Sequence, residues 1–272
     1  MALIIQKLSK LQNMKIKSSK ALSVIVGTIL CAGCSVKEYR ESCPCRLVLD
    51  FREVDTSSVR SADLYVTVPD GYVLTDYIGY ESFGKEYSAL VPRTVLQVNL
   101  MSGDGGLMSE TGLSIPMGED CPPVYMHSST VNADCEMWRE TVWMRKNHCR
   151  VDIDVNADEG YRPWLKIASD VCGYDVYGKP VAGDFQSRKR VDEEYSCSFV
   201  LPRQTDDLMT LEIDEGDGIL KRFSLGEYIA STGYDWNSPD LQDIHIELDF
   251  AVTQILLKIS GWDGEHRFDI VI

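Results

Sequence analysis

A period of two in the placement of apolar residues constrains this chain's fold more than any other feature. Val151, Ile153 and Val155 alternate with Asp152 and Asp154, and Ile244, Ile246, Leu248 and Phe250 alternate with His245, Glu247 and Asp249. Successive side chains of a strand point to opposite faces, so each segment reads as a strand with one dry face and one wet face. Leu47, Leu49 and Phe51 set against Val48, Asp50 and Arg52 repeat the pattern, as do Leu64, Val66 and Val68 against Tyr65 and Thr67. Val95 and Val98 flank a further strand-like stretch, where their odd spacing puts them on opposite faces unless a bulge intervenes. A wet face fits antiparallel sheet, not a parallel sheet covered by helices on both sides.

The last thirty or so residues sharpen this expectation. Segments 255–262 and 265–272 meet across Asp263-Gly264, a pair that favours a two-residue type I′ turn. Such a turn opposes Ile259 to Phe268, Leu257 to Ile270, Lys258 to Asp269 and Ser260 to Arg267, so apolar meets apolar and cation meets anion. One short helix is expected where Ser224 and Glu227 form a capping box, Leu225, Tyr228 and Ile229 supply an apolar side, and Gly233 stops it. The run Asn-Ala-Asp-Glu-Gly-Tyr-Arg-Pro at 156–163 is the best linker, and 101–122 is rich in loop residues. A short apolar strand ending in Pro-Arg occurs at 87–93 and again at 196–203, an echo consistent with two domains of one type.

The first 34 residues hold five Lys and no acid. A basic stretch around Met14 to Lys20, the ten apolar or small residues 21–30, and Cys31-Ala32-Gly33-Cys34 resemble a bacterial lipoprotein signal peptide. The apolar run is too short to span a hydrocarbon core of about 30 Å. Met14 gives a signal of ordinary length and is the better start. Cleavage is expected between Gly33 and Cys34, with lipidation of Cys34, although Cys31 stands where this signal normally has Leu. Several acyl chains, at about 0.8 kcal/mol per buried methylene, hold a protein in a membrane durably. The expected organisation is a signal peptide over 1–33, a lipidated tether over 34–44, and globular segments over 45–157 and 158–272.

Removing the signal leaves 22 bases and 42 acids, a net charge of −20. That balance argues against nucleic acid as a partner, because no basic block offsets it. Seven cysteines follow Cys34, namely Cys43, Cys45, Cys121, Cys135, Cys149, Cys172 and Cys197. Export places them where disulfides persist, and the odd number leaves one over. The expected bridges are Cys172–Cys197 and one from Cys43 or Cys45 to Cys121, Cys135 or Cys149, while any of them also suits a small buried apolar position.

No enzymatic constellation emerges. Cys43-Pro44-Cys45 lacks zinc spacing, and His148 and Cys149, adjacent on a strand, point apart. His127, His148, His245 and His266 fall in no metal-binding spacing, so neither a metal nor a cofactor is expected. The acidic run from Asp152 through Asp154, Asn156 and Asp158 to Glu159 fails as a calcium loop, with Ala157 where glycine is needed and Pro163 where glutamate is needed. Trp138, Trp143, Trp164, Trp236 and Trp262 would serve a glycan only if several shared an exposed face; Trp138 and Trp143, five apart, fall on opposite faces of a regular strand.

Beyond these points the chain resembles a known family. The signal followed by Cys43-Pro44-Cys45-Arg46-Leu47-Val48-Leu49-Asp50-Phe51 is similar to the start of the Bacteroidetes fimbrial anchor lipoproteins of FimB type. Phe199-Val200-Leu201-Pro202-Arg203, Ser224-Leu225-Gly226-Glu227-Tyr228-Ile229, Gly233-Tyr234-Asp235-Trp236, Asp240-Leu241-Gln242-Asp243-Ile244 and Gly261-Trp262 carry the resemblance to the other end. It implies an all-β fold of two tandem transthyretin-like antiparallel β-sandwich domains with Greek-key connections. It further implies a surface-exposed, non-enzymatic protein anchored in the outer membrane by lipid on Cys34, bound to a fimbrillin-like stalk subunit and able to limit fimbrial growth. Stalk subunits of this type polymerise by strand exchange. The alternative expectation is a glycan-binding surface lipoprotein.

Overall fold

The structure, a computed structural model, describes residues 43–69, 71–103, 108–109, 111–214, 219–250, 254–260 and 265–271. The expected signal, Cys34 and the expected Asp263-Gly264 turn therefore lie outside the described residues. Ten strands come first in the chain: β1 (Cys45–Asp50), β2 (Ser61–Val68), β3 (Gly71–Gly79), β4 (Glu86–Val91), β5 (Val95–Ser102), β6 (Met108–Ser109), β7 (Gly112–Ser114), β8 (Tyr125–Asn132), β9 (Met137–Thr141) and β10 (Arg145–Lys146). There follow β11 (His148–Asn156), β12 (Trp164–Asp175), β13 (Pro180–Arg190), β14 (Ser196–Pro202), β15 (Thr210–Asp214) and β16 (Ile219–Phe223). After these come helix α1 (Leu225–Ser231), then β17 (Ile244–Phe250), β18 (Gln254–Ser260) and β19 (Glu265–Val271).

The strands build four sheets, ordered β4-β1-β9, β10-β8-β5-β2-β3, β14-β11-β17-β18-β19 and β16-β15-β12-β7-β6, with β13 also paired to β12. The first two enclose a core in which Leu47, Leu49 and Phe51 meet Leu64, Val66, Leu96, Val98 and Val131. The other two enclose a second core, where Val151, Ile153, Val155, Ile244, Ile246 and Leu248 meet Leu165, Ile167, Phe185, Leu211 and Ile213. The alternating residues thus face the interior, and the molecule is predominantly β in a sandwich-like arrangement.

Most neighbouring strands are antiparallel, but β1 and β9 run parallel, as do β11 and β17. A common pairing pattern surrounds these exceptions. β1 lies between antiparallel β4 and parallel β9, and β11 lies between antiparallel β14 and parallel β17. The hairpins β2–β3 and β12–β13 follow in the opposing sheets, with β5 on β2 and β15 on β12. The two Pro-Arg phrases close β4 and β14, which occupy equivalent places in this pattern.

Three expectations need correction. β2 and β5 are dry on both faces in their middle, because Tyr65, Thr67, Asn99 and Met101 are buried as well. The Asn99 amide donates to the Val176 carbonyl at 3.0 Å and the Tyr65 hydroxyl to the Ser109 carbonyl at 2.8 Å, so neighbouring chain covers that side. Val95 is exposed and Val98 buried with no break in the β5–β8 register, so this pair does take the opposite faces that its spacing implies.

The terminal hairpin pairs Ile259 with His266, Lys258 with Arg267, Leu257 with Phe268 and Ser260 with Glu265, two residues away from the register expected for a two-residue turn. A shift of two preserves which face each side chain occupies, so the apolar pattern does not distinguish the two registers. Lys258 finds its anion on β17 instead, its ammonium donating to Glu247 at 2.7 Å. Helix α1 forms where expected, yet the Ser224 side chain makes no capping hydrogen bond. The helix start is fixed by the Gly226 amide donating to the Met209 carbonyl at 2.8 Å, and a Cβ at Gly226 would collide with the Asp207 carbonyl.

Candidate functional site

The described chain begins at the head of β1, where any tether from Cys34 must enter. Cys43 is exposed, Cys45 is fully buried, and the Cys45 and Cys135 sulfurs lie 3.8 Å apart. Cys172 on β12 and Cys197 on β14 stand as free thiols in different sheets. Cys172 donates to the Val181 carbonyl at 3.7 Å, and Cys197 lies opposite Ile153, its thiol pushed up to about 12 by burial. Cys121 and Cys149 are buried in the second core.

Strand edges offer a second kind of site. In the described sheets β3 and β10 end one, β4 and β9 another, and β14 and β19 a third. An edge exposes unpaired backbone N–H and C=O groups and can take another strand. Tyr77 on β3, Tyr80 just beyond it and Leu90 on β4 are exposed at the first-half edges. A groove of about 630 Å³ is lined by Val68, Pro69, Val95, Gln97 and Thr130 of β2, β5, β8 and their ends and by Tyr177 of the β12–β13 turn.

A third region collects polar chemistry around Trp143. His127 is buried on β8, and its Nδ1 accepts the Trp143 amide at 3.1 Å. That leaves Nε2 to carry the proton, 3.6 Å from the Glu140 carboxylate, and burial holds the imidazole below its usual pKa. Glu140 also accepts the Trp138 indole N–H at 3.1 Å. Trp143 is 47% exposed, with the Arg145 guanidinium 5.7 Å from its ring centre and ion-paired to Asp240 at 2.9 Å. The other described tryptophans are engaged elsewhere: Trp138 and Trp236 pack against the two cores, and Trp164 lies under Arg188. No shared aromatic platform forms among them, and Trp262 is outside the described residues. Sequence spacing alone missed the His127–Glu140 approach, since β8 and β9 belong to different sheets and the two side chains meet between them.

The acidic run after Asp152 is the wet side of β11. Asp152 meets Arg150 at 3.0 Å, Asp154 lies 3.5 Å from His245, and Asn156 donates to Asp249 at 3.2 Å. Among the described residues no group of three or more His, Cys, Asp or Glu is placed to hold a metal ion, and no helix is long and apolar enough to cross a membrane.

Neither the family models nor the curated proteins contain a match to this chain. Solved structures do match in fold. A putative polysaccharide binding protein from Bacteroides thetaiotaomicron aligns over 82% of this chain and 98% of its own, at 15% identity and a TM-score of 0.60. The fimbrial anchor protein Mfa2 from Porphyromonas gingivalis aligns over 81% and 98%, at 15% identity and a TM-score of 0.59. A putative adhesin from Bacteroides ovatus aligns over 83% and 95%, at 12% identity and a TM-score of 0.57.

Proposed function

We propose that this chain anchors a surface fimbria to the outer membrane through lipidated Cys34 and binds the basal stalk subunit with its folded part. The observation that carries the reading is the fold likeness to Mfa2 over nearly all of that protein, in a chain whose N-terminus reads as a lipoprotein signal. In this reading the folded part is two tandem transthyretin-like domains. The shared pattern of β1 with β4 and β9, and of β11 with β14 and β17, supports it. An open sheet edge takes the stalk's strand, gaining backbone hydrogen bonds along its length. β19 is hydrogen-bonded to β18 along its length, which favours receiving a strand over donating the last one and suits a subunit that limits growth. Replacing Cys34 with Ala tests the reading: protein and fimbriae are expected in the medium, and fimbriae retained normally on the cell would overturn it.

A second reading, glycan binding at the cell surface, is favoured by exposed Trp143 flanked by Arg145 and Glu140. An apolar ring face beside hydrogen-bonding groups suits a sugar. Loss of glycan retention in Trp143→Ala, with fimbriae still attached, would support it; unchanged retention would remove it.

A further inference from the structure

Cys45 opens β1, and Cys135 sits 90 residues later in the turn between β8 and β9. Strand pairing brings them together. β1 and β9 run parallel with Arg46 opposite Met137, and the Arg46 amide donates to the Glu136 carbonyl at 2.9 Å. One residue earlier, Cys45 comes beside this turn. The turn is itself held, with the Cys135 amide donating to Ala133 at 2.8 Å and the Asp134 amide to the Asn132 side chain at 3.2 Å.

Cys121 donates to the Pro122 carbonyl at 3.3 Å, Cys149 to the Arg150 carbonyl at 3.6 Å and Cys135 to the Met137 carbonyl at 3.3 Å, but Cys135 also has a second sulfur, that of Cys45, beside it. The sulfurs of Cys45 and Cys135, at 3.8 Å, need to close to about 2.05 Å for a bond, a gap within the sweep of the two Cα–Cβ torsions.

We propose that Cys45 and Cys135 form a disulfide in the exported protein and thereby fasten the first strand into its sheet. The inference rests on the export reading, because such a bond persists outside the reducing cytosol. The oxidant is a protein disulfide of the thiol-oxidoreductase class. Burial raises the Cys45 thiol and the adjoining Cys135 raises it further, so half-exposed Cys135 is the sulfur that meets the oxidant. As thiolate, Cys135 attacks the oxidant's disulfide, forming a mixed disulfide and releasing one oxidant thiolate. Cys45 loses its proton and attacks the Cys135 sulfur, expelling the second. The two thiols give up two protons and two electrons, and the oxidant leaves as a dithiol. The bond ties the residue at which the tether enters to the sheet's opposite neighbour.

The test uses the full chain isolated from the cell envelope, with free thiols capped before lysis and digestion without reduction. A linked peptide pair containing Cys45 and Cys135, separating on reduction, is expected. Capped thiols at both positions, or Cys45 joined to Cys121 or Cys149, would overturn the proposal. The same digest reports acylation at Cys34, so a present bridge on an unacylated chain defeats the anchoring reading alone. Amide exchange in β1 is expected to rise by roughly tenfold or more in Cys135→Ser. Should that variant fail to fold, wild-type protein with and without reductant provides the same comparison, and unchanged exchange on reduction would refute the fastening role.

Discussion

The Tyr174 hydroxyl, buried on β12, donates to the backbone carbonyl of Asn147 at 2.5 Å. Asn147 is the single residue between β10 and β11, where the chain passes from one sheet to another. The same hydroxyl accepts the Arg203 amide at 2.7 Å. Removing it in Tyr174→Phe strands a carbonyl and an amide in a buried place. A loss of about 1–3 kcal/mol in urea unfolding is expected, and a change within error would show that the latch contributes nothing.

Arg203, the base of the second Pro-Arg phrase, makes a wider set of bonds. Its Nε donates to the Asn147 side chain at 3.0 Å, and its Nη1 donates to the Ser238 carbonyl at 2.9 Å and to the Trp236 carbonyl. A planar fork satisfies several acceptors at once, and an ammonium cannot reproduce that geometry. Arg203→Lys is expected to cost on the order of 3 kcal/mol. Equal unfolding midpoints for the two proteins would contradict the clamp.

Stability should fall on mild acidification. Burial holds His127 and His148 below the usual histidine pKa, so both are neutral in the fold. Unfolded histidine takes up its proton near pH 6.5, while the folded pair does so at lower pH. The unfolded chain therefore binds more protons in that window, and the contribution is lost as pH drops below about 6.5. Melting temperatures from pH 7.5 to 5.5 should decline less steeply in His127→Asn/His148→Asn, and an unaltered slope would rule these groups out.

Gly112 is a position where only glycine fits. Its φ is +113°, and a Cβ there would strike the Tyr174 carbonyl across the β7–β12 pairing. Gly112→Ala is expected to destabilise by roughly 2–3 kcal/mol and to loosen amide protection at residues 112–114. Wild-type exchange there would show that β7 tolerates the side chain.

The sheets were legible where one face is dry and the other wet, as in β11 and β17, since burial leaves that alternation in the sequence. The middle of β2 hid its second dry face because Tyr65 and Thr67 carry polar atoms, the Tyr65 hydroxyl finding its partner in the Ser109 carbonyl of covering chain. Hairpin register escaped because a two-residue slip keeps each side chain on its own face. Sequence leaves either Cys43 or Cys45 open to Cys121, Cys135 or Cys149, since the approach of Cys45 to Cys135 across 90 residues depends on the parallel β1–β9 pairing. Such pairing leaves no local signal. The Pro-Arg echo was visible, but the roles of its members were not: Arg203 is clamped at four acceptor sites while the Arg93 Nε is buried without a hydrogen-bond partner.

β1 is paired along both edges, with all six of its residues matched to β4 and five matched to β9. Tension applied lengthwise at its first residue slides it against two neighbours together, so the ladder bonds share the load instead of opening one after another. Peeling fails bond by bond, whereas shear must overcome many at once. A strand seated this way behaves as a rivet against any load that reaches its first residue.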